Sequence, residues 1–351
     1  AGHPAGFAAA AAEENERETR KTPALREATY KSLAEAQELV DAKDLAGAQQ
    51  VLDDLLGKSK NLNAYEIASV HNMKAFVAFS QEDYPGAIRA YENVLAQRPD
   101  IPVALELSTL YALGQLYFVE ENYRKAIDYL NTWFDAAENP GPQAYVFLAQ
   151  AYYQLEQYRE VPPIIQEAME VARARDAEIK ENWWLLMRAA YYELEDWDNV
   201  IDILEVLVRD FPKKEYWVQL SGLYGQEGQS DKQVGAIWAA WIQGMLDQER
   251  EILNVAGLML QEGVPYWAGR ILEQEIEDDV VEESSSNLQL LAQAWQMAQE
   301  VDKAIPVYQE AARKSDEGEL YYRLSQLYLD KNDCESAIDA VESALDKGGL
   351  R

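Results

Sequence analysis

The stretch LYALGQLYFVEENYRKAIDYLNTW, Leu110 to Trp133, decides the fold. Gly114 lies between Leu113 and Tyr117, Ala126 follows Tyr123, and Leu130 and Trp133 come next at helical spacing. Two amphipathic helices joined by a short polar turn bring Gly114 and Ala126 to the point where their backbones cross. Packed interiors leave little spare volume, so nothing larger fits there.

A large residue, then Leu-Gly, then Tyr, then Ala and an aromatic is the tetratricopeptide pattern. The rest of the chain repeats it. The small residue of the second helix recurs as Ala48, Ala87, Ala126, Val161, Val200, Gln233, Gly269, Ala304 and Ala337. That of the first helix recurs as Ala36, Ala75, Gly114, Ala149, Arg188, Ser221, Gly257, Ala292 and Ser325. An aromatic or apolar residue follows three positions later, as Tyr117, Tyr152, Tyr191, Tyr224, Leu260, Trp295 and Tyr328 among others. A turn aromatic stands at Tyr84, Tyr123, Tyr158, Trp197 and Tyr266. The expected fold is all-α, a tetratricopeptide-repeat right-handed superhelix (α-solenoid) of about nine helix–turn–helix repeats. A tail spans 1–26 and the solenoid 27–351, with repeats starting near 29, 68, 107, 142, 181, 214, 250, 285 and 318.

Three departures carry structural expectations. Arg188 at a crossing must loosen it or send its guanidinium to solvent. Pro163 and Pro306 fall at one point inside second helices, where each removes a hydrogen bond and kinks or delays the helix. The acidic stretch QEIEDDVVEESSS, residues 274–286, reads as a solvated loop and helix start; it lacks the Gly and terminal Glu of a calcium loop. The tail opens AGHPAGFAAAAAEENE, which reads as an appended segment joined to a mature start, with a removed signal peptide compatible with it. A short Ala/Glu helix or insertion into a groove is expected for it. At the other end, Lys347-Gly348-Gly349 stops a helix with no amphipathic helix after it. Solenoids need polar caps, so either the last helix is polar enough on its outer face or this end packs on a partner or a second copy.

Composition narrows the function. Sixty-two acidic residues against 31 basic ones give a net charge of −31, which repels nucleic-acid phosphates and anionic membranes. No run of apolar residues is long enough to span a bilayer. Cys334 is the lone cysteine, so an internal disulfide framework is excluded. Of two histidines, His3 lies in the tail and His71 at a large first-helix position, where a core role is expected. GLYGQEG, 222–228, has neither the preceding strand nor the following Lys-Ser/Thr of a phosphate loop. No enzyme, metal or cofactor is expected.

What remains is surface. First helices of such repeats line an inner face at repeat positions 2, 5, 9 and 12. Position 12 of repeats two to five gives Phe79, Phe118, Tyr153 and Tyr192; position 9 gives Phe76, Gln115, Gln150 and Ala189; position 5 gives Asn72, Tyr111, Val146 and Leu185. Further on the face becomes more polar, with Asn254, Gln261, Gln293 and Gln326. The candidate peptide-binding groove is therefore Asn72, Phe76, Phe79, Tyr111, Gln115, Phe118, Gln150, Tyr153, Tyr192 and Gln293. Alternatively these rings merely pack between neighbouring first helices. Burying one such ring is worth about 1.5–3 kcal/mol, set against an association cost of about 4–15 kcal/mol. The amides, which both donate and accept, must supply the rest to an extended peptide backbone. The face has no Lys or Arg with which to clamp carboxylates, so a neutral or basic segment fits.

Several strings are specific beyond the repeat: RETRKTPALREATYKSLAEAQ (17–37), VALELSTLYALGQLYF (103–118), KENWWLLMRAAYYE (180–193), KKEYWVQLSGLYGQEG (213–228), VPYWAGRILE (264–273) and NLQLLAQAW (287–295). They resemble a bacterial tetratricopeptide family encoded beside TonB–ExbB–ExbD energy-transduction components. The resemblance implies a periplasmic, exported protein that assists TonB-dependent uptake, and a chain that continues past Arg351; it defines no site residues. A cytoplasmic location stays open on composition. The partner it suggests is a Pro- and Lys-rich TonB segment. A general envelope scaffold or co-chaperone and an oligosaccharide or peptidoglycan binder are the alternatives.

Overall fold

The structure is a computed structural model and describes residues 20–349. Among them every regular element is helical: eighteen α-helices and two short 3-10 turns. The helices form nine hairpins, α1/α2 (Glu27–Asp41, Leu45–Gly57), α3/α4 (Ala64–Ser80, Tyr84–Leu95), α5/α6 (Val103–Val119, Tyr123–Ala136), α7/α8 (Pro142–Gln154, Val161–Ala174), α9/α10 (Glu181–Glu193, Trp197–Asp210), α11/α12 (Lys214–Gln226, Ser230–Ile242), α13/α14 (Glu249–Gln261, Pro265–Glu277), α15/α16 (Ser285–Met297, Val301–Lys314) and α17/α18 (Glu319–Asp330, Cys334–Lys347). This is the tetratricopeptide-repeat fold. The chain divides into two compact units, residues 1–190 and 191–351.

Each hairpin turns in the same way. One residue in every turn adopts a left-handed φ of 54–75°: Lys43, Glu82, Glu121, Glu156, Glu195, Gly228, Gly263, Gln299 and Asn332. The amide of the next residue then donates back to the carbonyl five positions earlier, as in Asp44 to Leu39, Asn122 to Tyr117 and Asp333 to Tyr328, at 2.8–2.9 Å. This is the 6→1 bond of a Schellman motif, which satisfies a carbonyl the helix end leaves orphaned. Where the residue that donates is Asp or Asn, its side chain also caps the second helix, Asp44 Oδ1 accepting from Gly47 N at 2.9 Å and Asp83 Oδ1 from Gly86 N at 2.9 Å. One residue therefore closes the first helix and opens the second.

Beyond the turn the hairpin is closed by small residues. Ala36, Ala48, Ala75, Ala87, Ala126, Ala149, Ala292 and Ala304 are fully buried. A Cβ on Gly114 would lie 2.9 Å from Leu130 Cγ and Cδ2 of its own hairpin, whereas one on Gly269 would lie 2.9 Å from the Trp295 ring of the following hairpin. In the sixth hairpin Ser221 takes the crossing, its hydroxyl donating to the Gln233 carbonyl at 2.9 Å, while the Gln233 side chain is half-buried.

Two expectations need correction. Gly257 is not at a crossing: it is exposed, and a Cβ there would meet nothing within 4 Å. Ala256, fully buried, holds the crossing, and the turn bond runs from Val264 N to Met259 O, so the register sits one residue earlier and Met259 replaces Leu260. Arg188 is half-buried, and the buried residues of α9 are Trp183, Met187 and Ala190, so its side chain lies beside the core face. Pro163 falls in the first turn of α8, which starts after the 3-10 turn Tyr158–Glu160; Pro306 lies inside α16 and points to solvent.

The acidic stretch is partly structural. Gln274–Glu277 ends α14, buried Glu275 accepts from Trp241 Nε1 at 2.6 Å, Val281 is buried, and Ser284 caps α15. Asp278, Asp279, Glu282 and Glu283 are exposed. Among the described residues no group of three or more His, Cys, Asp or Glu could hold a metal ion, and no helix is long and apolar enough to cross a membrane. At the last hairpin α18 leaves Ile338 and Leu345 exposed.

Substituting Gly114 by Val should lower stability by about 1–3 kcal/mol, the range for overpacking a filled interior. Urea unfolding followed by circular dichroism reads the shift. An unchanged midpoint would mean the crossing has room that the distances to Leu130 deny.

Candidate functional site

Unit one carries most of the predicted row. Asn72, Phe76 and Phe79 stand on one stripe of α3, Tyr111, Gln115 and Phe118 on α5, and Gln150 and Tyr153 on α7. Phe76 is 47% exposed and Phe79 51% exposed; Gln115 and Gln150 are exposed; Asn72, Tyr111, Phe118 and Tyr153 are half-buried. Val146, expected at groove position 5, is buried, and its neighbour Phe147 faces the row instead.

The rings are held by two kinds of contact. Because the Schellman turn folds the chain back, each position-12 ring meets the turn aromatic five residues later. Phe79 lies 5.8 Å from Tyr84, Phe118 5.2 Å from Tyr123 and Tyr153 5.2 Å from Tyr158 between ring centroids. In unit two Tyr192 meets Trp197 at 5.2 Å in the same way and keeps 58% of its surface exposed. The second contact spans neighbouring hairpins: Phe147 lies 5.2 Å from Phe118 and 6.1 Å from Tyr111, which in turn lies 5.0 Å from Trp133. Tyr111 and Phe118 thus seal α5 against α7, as the packing alternative expects, while Phe76, Gln115 and Gln150 stay open. Gln293, in unit two on α15, is half-buried.

Asn72 and Phe76 also line a cleft of about 560 Å³ with Leu25, Leu33, Gln37, Tyr65, Ser69, Met73, Tyr91, Pro102, Ala104 and Leu105. No charged side chain lines it. Its polar groups are amides and hydroxyls, and its rings (Tyr65, Phe76, Tyr91) offer flat apolar faces. Burial pushes the Tyr91 hydroxyl's pKa up, so the ring is neutral. His71, on the same helix, has its pKa pushed down by burial and by Lys74, so it too is uncharged in the packed hairpin.

One end of the cleft is set by an extended strap, residues 20–26. Leu25 packs into the core of the first hairpin, Asn63 Nδ2 donates to the Ala24 carbonyl at 2.9 Å, and Arg20 pairs with Glu106 at the start of α5. The strap ends on buried Glu66. That carboxylate accepts from Arg26 Nε at 2.8 Å, from the Arg26 amide at 3.1 Å, from Thr29 Oγ1 at 2.9 Å and from the Asn63 amide at 2.9 Å. The Arg26 hydrogen bond, foremost, holds its pKa down to about 2. The expected tail helix and groove insertion fall mostly on residues 1–19, outside the described residues; in the described part the tail lies on its own chain as an extended segment.

Sequence reasoning missed Phe147, because the groove positions were counted at 146 and 150, and missed the strap, whose one signal was an arginine before a helix start. Neither was readable without the pairing of α5 with α7 or the burial of Glu66.

Two family models match parts of the chain. Residues 80–168 match the family model described as "Anaphase-promoting complex, cyclosome, subunit 3", and residues 33–102 and 290–350 match one described as "Tetratricopeptide repeat". Solved structures similar to this chain include a tetratricopeptide repeat protein from Parabacteroides merdae, with 15% identity, 77% of this chain and 99% of that one covered and a TM-score of 0.43. The TPR2AB domain of yeast Sti1 in complex with pHSP90 is 15% identical over 69% of this chain and 90% of that one, TM-score 0.34. The apo quorum sensor NprR of B. thuringiensis is 15% identical over 92% and 99%, TM-score 0.36. No curated protein matches the chain. Tetratricopeptide repeats as a class mediate protein–protein interactions.

Glu66 makes the first hairpin acid-sensitive. A carboxylate whose pKa drops from 4.5 to about 2 on folding contributes stability that is complete above about pH 4.5 and is lost as pH falls toward 2. Hydrogen exchange of α1 and α3 should accelerate in that window, and Glu66→Gln should flatten the response while costing about 3 kcal/mol at neutral pH. Equal acid sensitivity in the variant would contradict the assignment.

Proposed function

We propose that this chain is a non-enzymatic scaffold that holds an extended segment of a partner protein against the first-helix face of unit one. The observation that carries this reading is the uncharged cleft lined by Asn72 and Phe76, with Gln115 and Gln150 exposed on the two first helices that follow, α5 and α7. An extended backbone needs donors and acceptors at intervals, and Gln37, Asn72, Gln115 and Gln150 can serve both roles. Proline rings need flat apolar faces, and Tyr65, Phe76 and Tyr91 provide them; polyproline segments dock in aromatic-lined grooves for this reason. The chain's charge of −31 favours a partner that is basic around the docked segment.

The partner class follows from the family resemblance in strings such as 180–193 and 213–228. The proposed ligand is the Pro- and Lys-rich periplasmic segment of a TonB-system protein, and the proposed place is the periplasm, in support of TonB-dependent transport. A neutral aromatic–amide cleft on a chain of net charge −31 suits such a segment: prolines enter the cleft and the overall charge favours the lysines around them.

Calorimetry with a TonB periplasmic fragment at low salt tests the proposal. Binding should weaken as salt screens the charges. A Phe76→Ala, Gln115→Ala double variant should weaken it by about tenfold or more, since the remaining half of Phe76 contributes about 1 kcal/mol and the amide about 1 kcal/mol. These two side chains are the ones to change, because Phe118 also seals α5 to α7 and its loss would confound binding with folding. No heat at low salt would exclude the TonB segment, and unaltered affinity in the double variant would move the site off this face.

A further inference from the structure

The second-helix side of unit two carries a site that the first-helix reading leaves aside. A cavity of about 360 Å³ opens between α12, the α13–α14 turn and α14. Its walls are Trp238 and Trp267, whose rings meet edge to face at 4.5 Å and 65°. Trp267 is 47% exposed. Trp238 is fixed from behind by Trp241 at 4.9 Å, and Trp241 is itself anchored by its hydrogen bond to buried Glu275. The two rings form a corner held in place before any ligand arrives.

The polar lining consists of the Asp231 and Glu262 carboxylates and the Ser230 hydroxyl. Among the described residues neither carboxylate has an ion-pair partner, and no lysine or arginine sits over Trp238 or Trp267; Lys232 lies over Tyr224 instead, at 5.1 Å. The adjoining rings show what such surfaces accept. Lys303 places its ammonium 4.1 Å from the Trp295 centroid and 5.7 Å from that of Tyr266. Gly235 adds an independent observation. It lies inside α12, where glycine is destabilising relative to alanine, yet a Cβ there would meet nothing within 4 Å. No packing contact requires the glycine, and its missing side chain widens the cavity.

We infer that this cavity binds the guanidinium side chain of an arginine from a partner protein. A planar cation stacks on an indole face, and a carboxylate wall that can only accept hydrogen bonds matches a group that can only donate. A sugar fits less well: of the polar side chains lining the cavity only the Ser230 hydroxyl can donate, and two rings set at 65° offer it no continuous platform. The inference is independent of the proposed groove in unit one, because it uses other helices and other residues.

The test follows indole N–H signals of the tryptophans by NMR while N-acetyl-arginine amide is added, with N-acetyl-citrulline amide as the neutral isostere and N-acetylglucosamine as the saccharide probe. Arginine should move the Trp238 and Trp267 signals saturably, with citrulline at least about tenfold weaker. An Asp231→Asn, Glu262→Gln double variant should weaken arginine binding by a similar factor. Gly235→Leu, which fills the cavity, should abolish it with helicity unchanged, and Phe76→Ala should leave it intact. Equal response to citrulline, a response to the sugar alone, or no movement of either signal would overturn the inference.

Discussion

The rest of the molecule depends on how closely two helix backbones approach where they cross within a hairpin. At Gly114 the space for even a methyl group is already taken by Leu130; at most other crossings a fully buried alanine does the same work, and Gly269 makes the same room between hairpins, against the Trp295 ring of α15. Close approach lets the large side chains beyond the crossing reach across to the next hairpin. Tyr117 is one consequence: its hydroxyl donates to Glu92 of the preceding second helix at 2.6 Å, and its ring stacks on Tyr129 at 5.5 Å. Burial and the Glu92 carboxylate raise its pKa, which keeps it a donor at any physiological pH. Tyr224 repeats this with Glu205 in unit two.

The turn carries the geometry to the surface. Seven of the nine left-handed turn positions are occupied by residues other than glycine, at a local cost of roughly 1–2 kcal/mol each, offset by the back-directed amide bond and the cap that follows. Because that turn sets ring against ring five residues apart, the aromatics at the end of each first helix clasp their own hairpin before they can meet a ligand. What is left for binding in unit one is the exposed half of Phe79 and, one turn of helix inward, Asn72, Phe76, Gln115 and Gln150, together with the cleft that Tyr65 and Tyr91 complete.

The fold was legible in the sequence because a glycine or alanine at a crossing has few alternatives and recurs at a helical-hairpin period. Legibility failed by one residue at Ala256-Gly257, where two small residues stand side by side and only the Met259 turn bond distinguishes them. It failed differently at Phe118 and Tyr153. Their spacing placed them on the first-helix face, as observed, but spacing carries no information on whether a neighbouring ring already covers them, and Phe147 and Tyr158 do. The paired tryptophans of unit two were illegible for a related reason: Trp238 and Trp267 lie on the second helices of adjacent hairpins with α13 between them in the chain, and only the fold brings their ring centroids to 4.5 Å.

The central claim is that an extended partner segment lies along first helices of unit one and not along its second helices. Photocrosslinking from Gln115 on α5 and from Asp128 on α6, both exposed, measures this directly with a Pro- and Lys-rich TonB segment present at low salt. Capture from position 115 and none from position 128 is the predicted result. Capture from 128 alone, or equal capture from both, would contradict the account.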